Sequence, residues 1–372
     1  MNKYDIGILT FWNVPNYGTF AQAYALQKTL QAVAQQGDVR QIAHLDIHHY
    51  NFYYDLKAYY RDYKPWSRTF WRSFFMANGE NNCNSDKQTT FFAAYDTIPH
   101  TVNIDKKNVG KVRFNKIFLG SDIVWDYTIE PFNNDKMLFG ETFNTREVNS
   151  YAASFGTVKN DTPMPTYVEE GIKGMRHVSV RDENSADLVE KITGKRPPVV
   201  LDPVWLWDFN HDDNIQLPED ENYILVYGQD FTEGFIQNLI AFAKSREMKI
   251  VALDCNADNY TWCDKLIKQQ DLSPYLWIGY FKKASIVATS TFHGITFGML
   301  FKKKIAFCKT DFIIAKIGAF LKEVGLYELF DNPNDVEKML TYQWDYKQVD
   351  EVIERQRSVS LEFIKKACEQ NI

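Results

Sequence analysis

Paired cysteines, long apolar runs and an apolar leader are all missing from this sequence. Its five cysteines are scattered, and no two of them form a C-x-x-C pair, so neither a disulfide framework nor a zinc cluster is expected. No stretch approaches the ~18 consecutive apolar residues that a membrane span needs. The opening MNKYDIGILTFWNVPNYG has too short an apolar run for a signal peptide and turns polar at once. We therefore expect a cytoplasmic protein.

Positive charge is not in excess either. The 42 Lys and Arg residues against 48 Asp and Glu give a net charge of −6, whereas nucleic-acid-binding proteins usually carry a basic face. We expect no nucleic-acid partner. The sequence also lacks the HExxH, GxSxG and protein-kinase signatures and a D-x-D element that would hold a metal with a nucleotide sugar. We expect no metal and no bound cofactor.

What is present is an alternation of short apolar runs with segments of helical spacing, which is typical of parallel α/β architecture. Among these segments, HVSV (177–180) and PVVL (198–201) are predicted to be strands, and a helix is predicted near 260–269. The polar stretch WDFNHDDNIQLPEDEN (207–222) interrupts this pattern, and it starts again with YILVYG. The sequence predicts two Rossmann-like domains, residues 1–206 and 223–372, joined by a linker at 207–222 and facing each other across a cleft. Ligands of such folds bind at the carboxyl ends of the strands.

Residues 50–82 depart from the alternation. This insertion in the N-terminal domain interleaves aromatic residues with basic ones. Two interpretations are open: a segment that binds a glycan or the membrane surface, where aromatic and basic side chains are favoured, or a cover packed on the N-terminal domain with its charges in solvent.

The loop FWNVPNYGTFAQAYAL joins the first predicted strand to a helix. Asn16, Tyr17 and Gly18 precede or open that helix, so backbone N–H groups and the helix dipole would point into the mouth of a cleft. The segment is neither a GxGxxG fingerprint nor a Walker A loop. Ordinary α/β turn chemistry explains it equally well.

A second candidate is FLGSDIVWD, where Ser121 and Asp122 end a predicted strand and Trp125 follows. A hydroxyl and a carboxylate at the carboxyl end of a strand lie where a site should be. The alternative is an Asx turn or a helix N-cap, which Ser and Asp also favour.

A third candidate is Arg181 in SVRDENSADL, directly after a predicted strand. A guanidinium there can bind a carboxylate or phosphate with two hydrogen bonds. The alternative is an ion pair with Asp202 or Asp182. In VLDPVWL, Asp202-Pro203 is interpreted as a structural turn.

The fourth candidate is ATSTFHGITFGML, in which a buried strand delivers Ser290, Thr291 and His293 to the cleft and Gly294 lets a helix begin. A histidine in a first helical turn can donate to an anionic ligand or exchange a proton near neutral pH. Its position at a strand–helix junction favours this function over a purely structural role.

These motifs, in this order, resemble the polysaccharide pyruvyl transferase family. The resemblance runs from about residue 5 to about residue 310 and rests on ILTFWNVPNYGTFAQAYALQ, FLGSDIVWD, YAASFG, SVRDENSADL, VLDPVWL and ATSTFHGITFGML. It implies a GT-B-like pair of Rossmann-like domains. It also implies transfer of pyruvate from phosphoenolpyruvate, as co-substrate, to a sugar of a cell-surface polysaccharide or its lipid-linked precursor, at or near the inner face of the membrane.

The resemblance also implies residue roles. His293 would be the catalytic or phosphate-contacting histidine, and Arg181 would bind the donor with Ser290, Thr291 and Gly294. Asp122 is a candidate base for the acceptor hydroxyl. The wall on the acceptor side would be formed by Asn16, Tyr17, Gly18, Ser121 and Trp125.

One position departs from the family pattern: characterised members commonly carry an arginine where this chain has Thr291. A metal-independent glycosyltransferase that uses a nucleotide sugar is therefore the alternative enzyme. A glycan-binding protein without catalytic activity is the alternative outside enzymes. The oligomeric state and the acceptor sugar do not follow from the sequence.

Overall fold

The computed structural model describes residues 2–35, 37–44, 64–68, 70–71, 89–105, 107–129, 132, 134–254 and 259–369. The chain forms two compact units, of which the first comprises Met1–Trp207 with Arg357–Ile372 and the second Asp208–Gln356. Each unit contains one parallel β-sheet whose strands alternate with helices. The predicted α/β class, with one Rossmann-like sheet in each half of the chain, is confirmed.

The first unit is built on a four-stranded sheet in the order β2-β1-β3-β4. Its elements are β1 (Asn2–Leu9), α1 (Tyr17–Ala34), β2 (Val39–Gln41), β3 (Val112–Leu119), β4 (Asn144–Ser150), α2 (Thr166–Gly174) and α3 (Glu183–Thr193). The strands predicted at 177–180 and 198–201 occur only as single parallel bridges beyond β4.

The centre of this sheet is buried because its strands are apolar. In β1, Ile8 and Leu9 are almost fully buried, and in β3 Ile117, Phe118 and Leu119 are completely so. Such continuous apolar runs are expected where helices cover both faces of a parallel sheet. The carboxyl ends of β1 and β3 are thereby held side by side, in register from Asn2 with Val112 to Leu9 with Leu119.

The second unit has a five-stranded parallel sheet in the order β7-β6-β5-β8-β9. Its elements are β5 (Tyr223–Tyr227), α4 (Glu233–Ser245), β6 (Lys249–Leu253), β7 (Lys265–Ile267), α5 (Pro274–Lys283), β8 (Ile286–Thr289), α6 (Phe292–Leu300), β9 (Lys304–Phe307), α7 (Asp311–Glu323) and α8 (Val336–Thr341). A helix was expected near 260–269, but β7 lies there because it pairs with β6.

The last helix, α9 (Tyr346–Cys368), corrects the predicted domain boundary. Residues from Arg357 onward belong to the first unit rather than to a C-terminal domain that ends at 372. The backbone N–H of Leu201 donates to the Ser360 hydroxyl at 3.0 Å. Ile364 and Ala367 are fully buried in the same apolar cluster as Ile8.

The predicted linker at 207–222 is not separate from the two units. From Asp208 onward it belongs to the second unit, and Phe209 is buried with its ring 5.2 Å from that of Phe297. One aromatic side chain therefore anchors this otherwise polar stretch to the core of the second unit.

Most of the insertion at 50–82 lies outside the described residues. Within its described part, Trp66 is 81% exposed and Trp71 is 49% exposed. Within the described ranges, no helix combines the length and the hydrophobicity that a membrane span requires.

Candidate active site

A buried polar network joins the loops that follow β1 and β3. Ser121 is completely buried, and its hydroxyl donates to the side-chain oxygen of Gln22. The Gln22 amide donates to the Thr10 hydroxyl at 3.0 Å, which in turn donates to the Ser121 carbonyl at 2.9 Å. Ser121 was expected on a cleft wall, but its side chain instead holds the two strand ends together.

The start of α1 brings a second side chain to this edge. Asn16 is the exposed N-cap, whose side chain accepts from the Thr19 backbone N–H at 3.1 Å. The Thr19 hydroxyl donates to Asp122 Oδ2 at 3.1 Å. Tyr17 and Gly18 are buried, so of the residues predicted in this loop only Asn16 presents its side chain to solvent. Sequence reasoning missed Thr19, although its place in the first turn of α1 was readable.

Arg181 lies between two carboxylates in the first unit. Its Nη1 is 3.0 Å from Asp202 Oδ2 and its Nη2 is 3.7 Å from Asp122 Oδ1. The exposed side-chain fractions are 4% for Arg181, 1% for Asp202 and 16% for Asp122. The ion pair with Asp202, which the sequence left as an alternative, is present. Asp122 is therefore the member of the trio most open to a ligand.

The positive charge of Arg181 is maintained by the carboxylates around it. Burial disfavours the charged guanidinium, but Asp122, Asp202 and Asp182 together outweigh burial and raise the pKa of Arg181. Asp182 is itself held, because it accepts from the Ser154 hydroxyl at 2.6 Å and caps α3. Arg181 thus stays positive between these carboxylates.

Trp125 is placed differently from the prediction. It is fully buried in the main apolar cluster of the first unit, and its indole N–H donates to the Leu138 carbonyl at 3.2 Å. Its ring lies 5.3 Å from that of Phe155. Trp125 is a core residue and not part of a ligand-facing wall, since a large aromatic side chain near a strand end has enough apolar area to stabilise a core.

In the second unit, hydroxyl groups tie β8 and α6 to the end of β5. The Ser290 hydroxyl donates to the Gln229 carbonyl at 2.6 Å and accepts from the Gln229 N–H at 2.9 Å. The Thr291 hydroxyl accepts from the Gly294 N–H at 3.0 Å and so caps α6. These side chains, expected to bind a donor, have local structural partners.

His293 lies in the first turn of α6, after the Thr291 cap. It is half-buried, and its ring meets that of Phe292 edge-on at 5.0 Å. The helix dipole and the free N–H groups of a first turn favour an anion at this position. His293 can therefore contact an anionic group or exchange a proton at this position.

The sequence model described as Polysaccharide pyruvyl transferase matches residues 16–311. This segment begins at Asn16, includes Asp122 and Arg181, and extends past His293. It covers well over half of the chain. The chain belongs to the polysaccharide pyruvyl transferase family. It is therefore a transferase, and its family connects it with polysaccharide biosynthesis and a glycan acceptor. No curated protein matches the sequence significantly.

Several solved structures match this family member at low similarity. UDP-GlcNAc 2-epimerase from Methanocaldococcus jannaschii matches with a TM-score of 0.49 and 10% identity over 95% of this chain and 99% of that chain. The Neisseria meningitidis UDP-GlcNAc 2-epimerase bound to UDP-GlcNAc gives 0.43 and 12%, over 98% and 100%. The E. coli heptosyltransferase WaaC with ADP gives 0.41 and 9%, over 84% and 90%.

For a polysaccharide pyruvyl transferase, the structure assembles the predicted residues into two groups. Asn16, Asp122 and Arg181 lie together in the first unit with Thr19 and Asp202, while Ser290, Thr291, His293 and Gly294 lie together in the second. Each group is found where the strands of its sheet end, at the edge where α/β folds bind ligands.

Proposed function

We propose that this protein transfers the pyruvyl group of phosphoenolpyruvate to a sugar of a cell-surface polysaccharide or its lipid-linked precursor, giving a ketal and inorganic phosphate. Family membership supports the transfer reaction and the glycan acceptor. The observation that carries the choice of donor is His293, a half-buried histidine in the first turn of α6. A small, highly charged anion suits that position.

The acceptor hydroxyls lose two protons in this reaction, and no redox step is needed. Protonation of the methylene carbon gives an oxocarbenium-like carbon, which the first sugar hydroxyl attacks while it loses its proton. The C–O bond to phosphate then breaks with both electrons leaving on phosphate, and the second hydroxyl closes the ketal. Of the two protons that the hydroxyls lose, one balances the proton added to the methylene carbon, and the other leaves on phosphate. A proton donor, a base and groups that stabilise an anion are thus required.

His293 is our proposed acid/base or phosphate-contacting group, and Asp122 the proposed base for the acceptor hydroxyl. Asp122 is partly exposed, and its two oxygens face the Thr19 hydroxyl and the Arg181 guanidinium. The burial of Arg181 and its pairing with Asp202 favour a positioning role for this arginine, through Asp122, over a direct clamp on the donor.

The first test is the melting temperature with phosphoenolpyruvate and, separately, with nucleoside diphosphates and nucleotide sugars. A ligand that binds only the folded state stabilises it by about 2.7 kcal/mol when present at 100 times its Kd. We expect phosphoenolpyruvate to raise the melting temperature and His293→Asn to abolish this rise. The matched control is His211→Asn, because the His211 side chain is 86% exposed.

A rise with a nucleotide alone would replace the proposed donor with a nucleotide sugar. No rise with any of these ligands, or a rise with phosphoenolpyruvate that survives His293→Asn, would contradict the proposed donor site. Arg181 is unsuited to this test because removing its charge leaves buried carboxylates without compensation.

A further inference from the structure

A cavity of about 450 Å³ opens in the second unit at the carboxyl ends of β5 and β6. This volume lies in the range of ~300–1,000 Å³ that is typical of small-ligand pockets. Its polar lining includes Gln229, Asp230, Asp254 and Asn259. None of the candidate residues named above lines it, although Ser290 is hydrogen-bonded to Gln229 at its rim.

Hydrogen bonds and ring contacts hold the aromatic residues of the cavity in place. The Trp262 indole N–H donates to the Asn259 carbonyl at 3.2 Å, and its ring lies 6.0 Å from that of Tyr260. Tyr260 is buried and donates its hydroxyl to the Gly228 carbonyl. Phe231 stacks on buried Phe235 at 5.1 Å. Trp262 and Phe231 are each half-buried, so part of each ring remains accessible.

The charge of the cavity selects against anions. Among its described lining residues there are two carboxylates and no Lys, Arg or His. Phosphoenolpyruvate and nucleoside diphosphates would meet like charge there, which costs binding energy in a partly enclosed site. Carboxylate and amide oxygens accept hydrogen bonds from hydroxyl groups, and flat apolar rings pack on apolar ligand faces. A neutral polyhydroxylated ring can form hydrogen bonds with the carboxylate and amide groups and can also pack on the aromatic rings.

The two carboxylates follow adjacent parallel strands and line one cavity. Asp230 has φ of 57° and Asp254 has φ of 49°, in the left-handed region that aspartate adopts more readily than most residues other than glycine.

We infer that this cavity is a subsite for one pyranose of the acceptor glycan, with Trp262 and Phe231 packing on the ring and Asp230, Asp254 and Asn259 accepting or donating hydrogen bonds at its hydroxyls. The assignment to the acceptor, as opposed to any other sugar, rests on the proposed function. It also places sugar recognition in the second unit, which the sequence had assigned to the donor.

The test uses the full chain and saturation-transfer difference NMR titrations with methyl D-glucopyranoside, methyl D-galactopyranoside and methyl D-mannopyranoside. We expect at least one glycoside to bind. Trp262→Ala should weaken that binding by roughly tenfold, as expected for the loss of an aromatic contact. Trp262→Phe should retain most of it, and Asp230→Asn should weaken it several-fold. The matched control is Tyr342→Ala, an exposed aromatic of the same unit that does not line the cavity.

Circular dichroism of each variant establishes that it is folded. The inference is overturned if none of the glycosides binds, if Trp262→Ala binds as the unmodified protein does, or if Tyr342→Ala loses binding equally. It is also overturned if, in the same NMR titrations, UDP binds in a way that Trp262→Ala abolishes and none of the glycosides binds. The phosphoenolpyruvate-dependent rise in melting temperature should survive Trp262→Ala, so failure of the subsite and failure of the proposed donor give different results.

Discussion

The Arg181 guanidinium lies between carboxylates that belong to different loops of the first unit. Its pairing with Asp202 buries both charges, and its second contact, with Asp122, reaches a carboxylate that is still partly exposed. A buried ion pair contributes little net stability compared with apolar residues, but breaking it leaves a buried charge uncompensated. The value of Arg181 to the protein therefore lies in fixing the position of Asp122.

Arg181→Met should lower the free energy of unfolding by about 3–5 kcal/mol, because it leaves Asp202 buried without its cation. The measurement is urea unfolding followed by fluorescence. The double variant Arg181→Met/Asp202→Asn should recover part of this loss, since the second change removes the uncompensated charge.

Arg196→Met is the matched control for this prediction. Arg196 pairs with Glu183, Asp187 and Glu190, but all these side chains are well exposed, and surface ion pairs contribute little. The interpretation of the Arg181 pair fails if both arginine variants unfold at the same urea concentration.

The Thr291 side chain has a local structural role at the start of α6. At this position, where the family resemblance led us to expect an arginine, the threonine side chain accepts the Gly294 N–H and caps α6. Removing such a cap typically costs about 1 kcal/mol. The hydroxyl therefore stabilises the helix turn that carries His293, a contribution that an arginine side chain would not make.

At the scale of elements, the junction between β8 and α6 is unusually close-packed. The Thr289 hydroxyl donates to the Tyr227 carbonyl at 2.6 Å and accepts from the Thr291 N–H at 3.1 Å. A Cβ on Gly294 would collide with the Thr289 hydroxyl and lie 2.7 Å from that of Thr291. Glycine is required here because the first turn of α6 lies directly against the end of β8.

Gly294→Ala should destabilise the second unit by about 1–3 kcal/mol, as overpacking of a tight site does, and should displace His293. The measurement is thermal unfolding together with the phosphoenolpyruvate-dependent rise in melting temperature, which should shrink. The control is Gly174→Ala, at the end of α2, because a Cβ there meets no atom within 4 Å. Equal stability of the two variants would show that the junction tolerates a methyl group.

At the scale of the whole molecule, the chain returns to its first unit at the end. The apolar side of α9 contributes Ile364 and Ala367 to a cluster with Ile6, Leu26 and Phe118. Lys116, from β3, donates to the carbonyls of Ala367 and Glu369 at the end of this helix, where a cation is favoured by the helix dipole. Segments near the two ends of the chain thus pack together in the first unit.

Ile364→Ala should lower stability by about 2–5 kcal/mol, the usual cost of a cavity at a fully buried isoleucine. Hydrogen exchange should show the loss of protection in β1 and β3 and leave the strands of the second unit unchanged. Val359→Ala, on the same helix but 48% exposed, is the control. Loss of protection confined to the second unit would contradict the assignment of this helix.

Much of the fold could be predicted from the sequence because the patterns that indicate strands and helices are local. The apolar runs at β1, β3, β5 and β8 and the helical spacing after them follow from patterns within a few residues. The order of motifs from about residue 5 to about residue 310 likewise suggested the family that the match over residues 16–311 establishes. Residues 177–180 and 198–201 were predicted to be full strands but form only isolated bridges. An apolar pattern does not determine how many backbone hydrogen bonds a segment makes with its neighbours.

The sequence by itself thus determined the α/β class, the two sheets and the strand ends where chemistry can occur, since propensity and periodicity act over short distances. Only the tertiary structure decided that Trp125 and Ser121 are buried, that Arg181 pairs with Asp202, and that α9 completes the first unit. The same holds for the aromatic and acidic cavity around Trp262. The physical reason is that burial and charge compensation depend on which distant segments pack together, and a residue's type fixes only what it can do once that packing has chosen its neighbours.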